Sequence, residues 1–206
     1  KQMTSKEIMP SSRDHEGSKL GMWLFLYTEI MLFGGLFVLY AVYYHKFTDD
    51  FIAGGQQLDT FFGTLNTVIL LISSFAVAAA ITAIQNNSKK IAIILLGSSL
   101  LCGFLFLINK YIEWSHKFEV GIYPNSEKLL ESDPGLNIFF GLYYVITGLH
   151  GVHIIIGMAL LVWSLVRVKS NHITDQNYVL LENAGLYWHL VDLIWIFIFP
   201  LFYLIL

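Results

Sequence analysis

Five apolar stretches, each at or above the roughly 20 residues needed to cross a bilayer as a helix, constrain this chain more than any other feature. They run over residues 20–44, 62–84, 91–112, 136–166 and 182–206, with short polar connections between them. Of the 206 residues, 56% are hydrophobic and only 13% charged. A soluble domain carries about 25% charged residues. The mean hydropathy of +0.63 agrees. The expected fold is therefore all-α: a polytopic transmembrane bundle of five spans, preceded by a polar arm over residues 1–19, with residues 20–206 as one membrane domain. The single cysteine, Cys102, lies inside an apolar run and offers no disulfide framework. Neither a basic helix nor basic residues interleaved with aromatics are present, so nucleic acid is not an expected partner.

An odd number of spans puts the termini on opposite sides. With the N-terminus inside, the inner connections receive Lys1, Lys6, Arg13, Lys19, Lys89, Lys90, Arg167 and Lys169. The outer ones receive Lys46, Lys117 and Lys128, with Lys110 near a boundary. This asymmetry predicts N-terminus inside and C-terminus outside. Small residues Gly34, Gly35, Ala78, Ala79, Gly148 and Gly151 are the expected places of close helix approach. Pro200 is expected to bend or weaken the last turns of the fifth span.

Glu29 stands out because an ionisable group inside a span is costly unless paired, hydrated or protonated. At about 1.5 Å per residue it lies roughly 13 Å beyond Leu20, far from either surface. Two readings follow: a proton-exchanging site, or a neutral hydrogen-bonded acid that fixes packing. In TGLHGVHIIIG, His150 and His153 are three apart, and in LENAGLYWHLVDLIWIF so are His189 and Asp192, with Glu182 two turns earlier. Imidazoles and carboxylates on two helices are potential metal or haem ligands, but interhelical hydrogen bonding requires only pairs. Lys110 and Glu113 have the spacing of a helical ion pair. Tyr143, Tyr144, Trp188 and Trp195 read as packing or interface residues.

The motifs WLFLYTEIMLFGGLF, LNTVILLISS, GFLFLINKYIEW, TGLHGVHIIIG and YWHLVDLIWIF, in this order, cover almost all of the chain after Lys19. Together they resemble subunit III of the haem-copper respiratory oxidases, the cytochrome c and quinol oxidase family, in its five-helix form. The resemblance implies a non-catalytic accessory subunit in a bacterial cytoplasmic membrane. It would sit beside the catalytic subunit I, with subunit II in the same complex, while oxygen is reduced to water and protons are pumped. Haem and copper would belong to those partners, with no metal or catalytic residue in this chain. Phospholipid would bind to it, and it would support proton uptake. Glu29 matches the family's membrane-embedded, carbodiimide-reactive glutamate. Glu113, His150, His153, His189 and Asp192 match its polar interior positions, where hydrogen bonding is expected. Other readings of the sequence are an accessory protein of a nitric oxide reductase, an independent transporter and a haem or metal carrier.

Overall fold

A computed structural model describes the backbone of residues 11–205 and the side chains from Gly17 to Ile205. The first ten residues of the polar arm, with Lys1 and Lys6, lie outside that range. Among the described residues there are seven helices: α1 (Ser11–Lys46), α2 (Thr48–Gln56), α3 (Thr60–Gln85), α4 (Lys89–Glu119), α5 (Glu127–Leu130), α6 (Pro134–Lys169) and α7 (Val179–Tyr203). Five of them, α1, α3, α4, α6 and α7, are long and apolar enough to span a bilayer. The polar arm is helical from Ser11 onward, and α2 occupies much of the first connection.

Local chemistry sets the helix ends. The Asp59 carboxylate accepts from the Phe61 N–H at 2.8 Å and caps α3. Pro134 opens α6, where its missing N–H costs nothing. Asn87, Gly121 and Asn171 adopt φ of 56°, 77° and 59° directly after α3, α4 and α6. In each case the next N–H returns to the helix, as in Ser88 N to Ala83 O at 2.8 Å, so the last carbonyls are satisfied before the chain reverses.

Helices α3, α4, α6 and α7 form a closed ring, α3 against α4, α4 against α6, α6 against α7 and α7 against α3. The core is organised around α7, where Leu181, Trp188, Trp195 and Phe202 recur every seventh residue and are all fully buried. This spacing keeps one seam of a helix facing its neighbours. Trp188 reaches all three partners. Its indole N–H donates to Ser73 Oγ on α3 at 3.0 Å, and a Cβ at Gly103 on α4 or Gly157 on α6 would lie 3.0 or 2.8 Å from its ring. One level further along, Trp195 donates to Thr67 Oγ1 at 3.0 Å and meets Phe106 edge-on at 4.8 Å between ring centres.

Helix α1 stands outside this ring and leans on α6 and α7. It too uses a seven-residue seam, Leu26, Phe33 and Tyr40, but little else of it is buried. Only 11% of its apolar window lies inside the protein, against 56% for α7.

The small residues expected at helix contacts are only partly those used. A Cβ at Gly34, Gly35 or Gly151 would meet nothing within 4 Å, and Ala78 is exposed; Gly148 does face Trp114 at 3.2 Å. The close approaches fall instead at Gly63, Gly103, Gly157 and Gly185, each opposite a bulky side chain of a neighbouring helix. The reason is rotational. A glycine marks a place where helices can approach, but which face turns inward is decided by the large residues around it. Helix α7 continues through Pro200 to Tyr203, so the proline does not end it.

Candidate functional site: two buried acid centres

Glu29 is not isolated. Its Oε2 lies 2.7 Å from His153 Nε2 on α6, and the two side chains are 14% and 9% exposed, so the pair is largely removed from solvent. The other ring nitrogen of His153, Nδ1, sits 2.7 Å from the Leu149 carbonyl oxygen. A carbonyl can only accept, so Nδ1 carries hydrogen. The contact with Glu29 then requires one further hydrogen, held either by the carboxyl group or by Nε2. Both forms have zero net charge, so the pair is a one-proton site that fits an apolar surrounding. Phe33 packs edge-on against the imidazole at 5.1 Å between ring centres, and Tyr187 stacks at 6.5 Å.

Glu113 forms the second centre, in the ring bundle. Lys110 Nζ donates to Glu113 Oε2 at 3.1 Å, to Tyr143 Oη at 3.0 Å and to Tyr203 Oη at 2.9 Å. Both tyrosine hydroxyls donate to Glu113 Oε1, at 2.6 and 2.8 Å. Every polar hydrogen of the cluster thus has an acceptor, and the charges cancel. The four residues come from α4, α6 and α7, and Lys110 and Glu113 are 7% and 5% exposed. The expected helical pair is present; the two tyrosines that complete it gave no signal, because a tyrosine at helical spacing looks the same whether it packs or bonds.

The histidine and carboxylate pairs read from spacing do not act as pairs. His153 turns to α1. His150 is fully buried between Trp195 and Phe106, at 5.2 and 5.5 Å between ring centres, and neither of its nitrogens has a hydrogen-bond partner among the described residues. His189 is half-buried, with Nδ1 2.6 Å from Ser74 Oγ on α3. Asp192, one turn on, is 4% exposed and neither of its oxygens is hydrogen-bonded to a described residue. Glu182 pairs with Lys19 of α1 at 2.9 Å. Among the described residues no three His, Cys, Asp or Glu side chains converge to hold a metal.

Helix α1 is therefore tied to the bundle at three levels: Lys19 with Glu182, Glu29 with His153, and the Tyr40 hydroxyl with the Leu201 carbonyl. The ties lie about three turns apart along the helix.

Comparison with known proteins places this architecture. The family model for cytochrome c oxidase subunit III matches residues 10–205. The chain is 32% identical to cytochrome c oxidase subunit 3 of Synechocystis over 90% of its own length and 74% of the relative's. It is 31% identical to quinol oxidase subunit 3 of Bacillus spizizenii, over 90% and 85% of the two lengths. With the probable quinol oxidase subunit 3 of Staphylococcus haemolyticus it shares 29% identity, over 94% and 92%. The five-helix membrane chain built around Trp188 and carrying the Glu29–His153 pair belongs to the cytochrome c oxidase subunit III family.

Proposed function

We propose that this chain is the non-catalytic accessory subunit of a proton-pumping haem-copper terminal oxidase in a bacterial cytoplasmic membrane. Its membrane domain, residues 20–206, has the N-terminus inside and the C-terminus outside, with residues 1–19 ahead of it. It lies beside catalytic subunit I, with subunit II in the same complex. Haem and copper reside in those partners, where oxygen is reduced to water. The chain stabilises the catalytic subunit and supports its proton uptake.

The observation that carries this reading is the Glu29–His153 pair. It sets an acid against an imidazole at membrane depth, the contact a proton-exchanging site requires, between the bundle and a helix that keeps most of its surface free for neighbours. The saturated Lys110–Glu113–Tyr143–Tyr203 cluster supports a structural part for the remaining polar residues, since all of its hydrogens are already engaged. Phospholipid belongs to the same reading. An apolar groove of about 200 Å³ between α1 and α7, lined by Ile30, Phe33, Phe37, Leu193 and Phe197, has the chemistry an acyl chain would meet.

Purification in mild detergent tests the proposal. The chain is expected to copurify with large haem- and copper-bearing subunits, and to be free of haem, copper, iron and zinc once separated from them. Stoichiometric metal that stays with this chain and is lost on substitution of His150 or His189 would overturn it.

A further inference from the structure

His153 is held from three helices, and one of the residues that holds it has no part in the function proposed above. On its own helix the Nδ1 hydrogen is engaged by the Leu149 carbonyl at 2.7 Å. From α1, Phe33 meets the imidazole edge-on, with 70° between the ring planes. From α7, the Tyr187 ring lies nearly parallel to it, at 23°. These contacts leave Nε2 as the nitrogen turned to Glu29.

Tyr187 reaches that place because Gly157 leaves room for it. Gly157 stands one turn beyond His153 on α6, and a Cβ there would lie 3.3 Å from Tyr187 Cε1, tighter than an ordinary contact. Past this glycine the Tyr187 hydroxyl donates to the His153 backbone carbonyl at 3.4 Å, its one hydrogen bond among the described residues. The same ring stacks on Phe25 of α1, at 5.9 Å between centres and 24° between planes. Phe25 precedes Glu29 by four residues, so the two are neighbours on one face of α1. Tyr187 is buried and touches both helices that carry the pair, at His153 itself and one turn from Glu29. A tyrosine suits the position, with a flat ring to stack on and a hydroxyl to pin that ring to the backbone of α6.

We propose that Tyr187 is the positioning residue of the Glu29–His153 contact. The inference rests on the reading of that pair as a proton-exchanging site. A proton passes between two heavy atoms only within hydrogen-bond reach, about 2.6–3.2 Å. Glu29 and His153 stand on different helices, and α1 is the one least embedded in the bundle, so this reach has to be kept across a joint. Tyr187 keeps it from a third helix: it limits the turn of the imidazole on one side and seats α1 through Phe25 on the other. Among the described residues it makes no hydrogen bond to the Glu29 carboxyl group or to either ring nitrogen of His153, so it acts through orientation and carries no proton of its own.

Infrared difference spectroscopy of the purified membrane complex tests this. The difference between the parent and Glu29→Gln isolates the bands of the Glu29 carboxyl group, and His153→Gln is expected to move them. Tyr187→Leu, which removes ring and hydroxyl, should shift and broaden the same bands. Tyr187→Phe keeps the ring and loses the anchor, and should give a smaller shift in the same direction. Trp195→Phe, a packing change two turns further along α7, should lower thermal stability and leave the bands in place. Bands unchanged in both Tyr187 variants would overturn the role of Tyr187, and if Tyr187→Leu does not assemble, unchanged bands in Tyr187→Phe alone would do so. Bands moved as far by Trp195→Phe would overturn it as well, because the shift would then report a loosened bundle. If His153→Gln leaves the bands in place, the pair itself is absent, and the reading on which this inference rests falls with it.

Discussion

The two acid centres solve the same problem, a carboxyl group inside a membrane bundle, in opposite ways. Glu113 accepts from Lys110, Tyr143 and Tyr203, Lys110 donates in turn to both tyrosine oxygens, and the cluster ties together three helices of the ring. Glu29 has a single imidazole partner and joins one helix of the ring to the loosely held α1. A saturated cluster resists any change of proton number, because each hydrogen lost or added leaves a donor or acceptor unmatched. The Glu29–His153 pair has no such network to disrupt, since its one hydrogen can sit on either partner. Saturation marks structure, and sparseness leaves room for function.

The largest expected effect breaks the saturated side. Glu113→Ala strands the Lys110 ammonium in the bundle, and removal of one partner of a buried pair costs about 3–5 kcal/mol. Thermal unfolding of the purified complex should show the loss, and an unchanged transition would mean that water reaches Lys110. Glu29→Lys comes next, because it sets a cation beside His153 at membrane depth, at a cost of about 2.5–3.5 kcal/mol on insertion scales. Glu29→Gln keeps the shape and a hydrogen-bonding group, so the amount of assembled complex should stay near that of the parent and well above that of Glu29→Lys. If the lysine variant assembled and the glutamine variant did not, the one-proton description of the pair would fail.

Gly157→Ala sharpens the ring side without touching charge. The added Cβ would lie 2.8 Å from the Trp188 ring, and overpacking of this kind costs about 1–3 kcal/mol, read in the same unfolding measurement. The smallest effect belongs to Lys19→Ala. Its side chain is 50% exposed, and such a surface ion pair contributes about 0–1 kcal/mol, reduced further by salt. A large loss there would show that α1 is held chiefly at this end, contrary to the seam through Leu26, Phe33 and Tyr40.

Much of this molecule was legible in its sequence because the bilayer removes alternatives. Apolar stretches of spanning length must be helices, and the five spans appear where hydropathy places them. The Lys110–Glu113 pair was legible too, because its partners are neighbours on one helix. Other expectations required knowledge of rotation. His150 and His153 share a helix face, yet one meets Trp195 and the other Glu29, because a three-residue step also turns the side chain by tens of degrees and places it against a different neighbour. Gly34 and Gly35 look like a contact and face open space, because nothing local records which side of α1 turns to α6 and α7.

By itself the sequence determined the class of fold, the spans, the connections and the presence of unusual polar groups at membrane depth. These properties depend on composition and on spacing along one helix. Only the tertiary structure decided the partners: His153 for Glu29, Tyr143 and Tyr203 for Glu113, and Ser74 for His189. Partnerships across helices depend on rotation and depth. In a bundle held by shape, those are fixed by bulky side chains such as Trp188 fitting opposite Gly103 and Gly157, far from the polar groups they bring together.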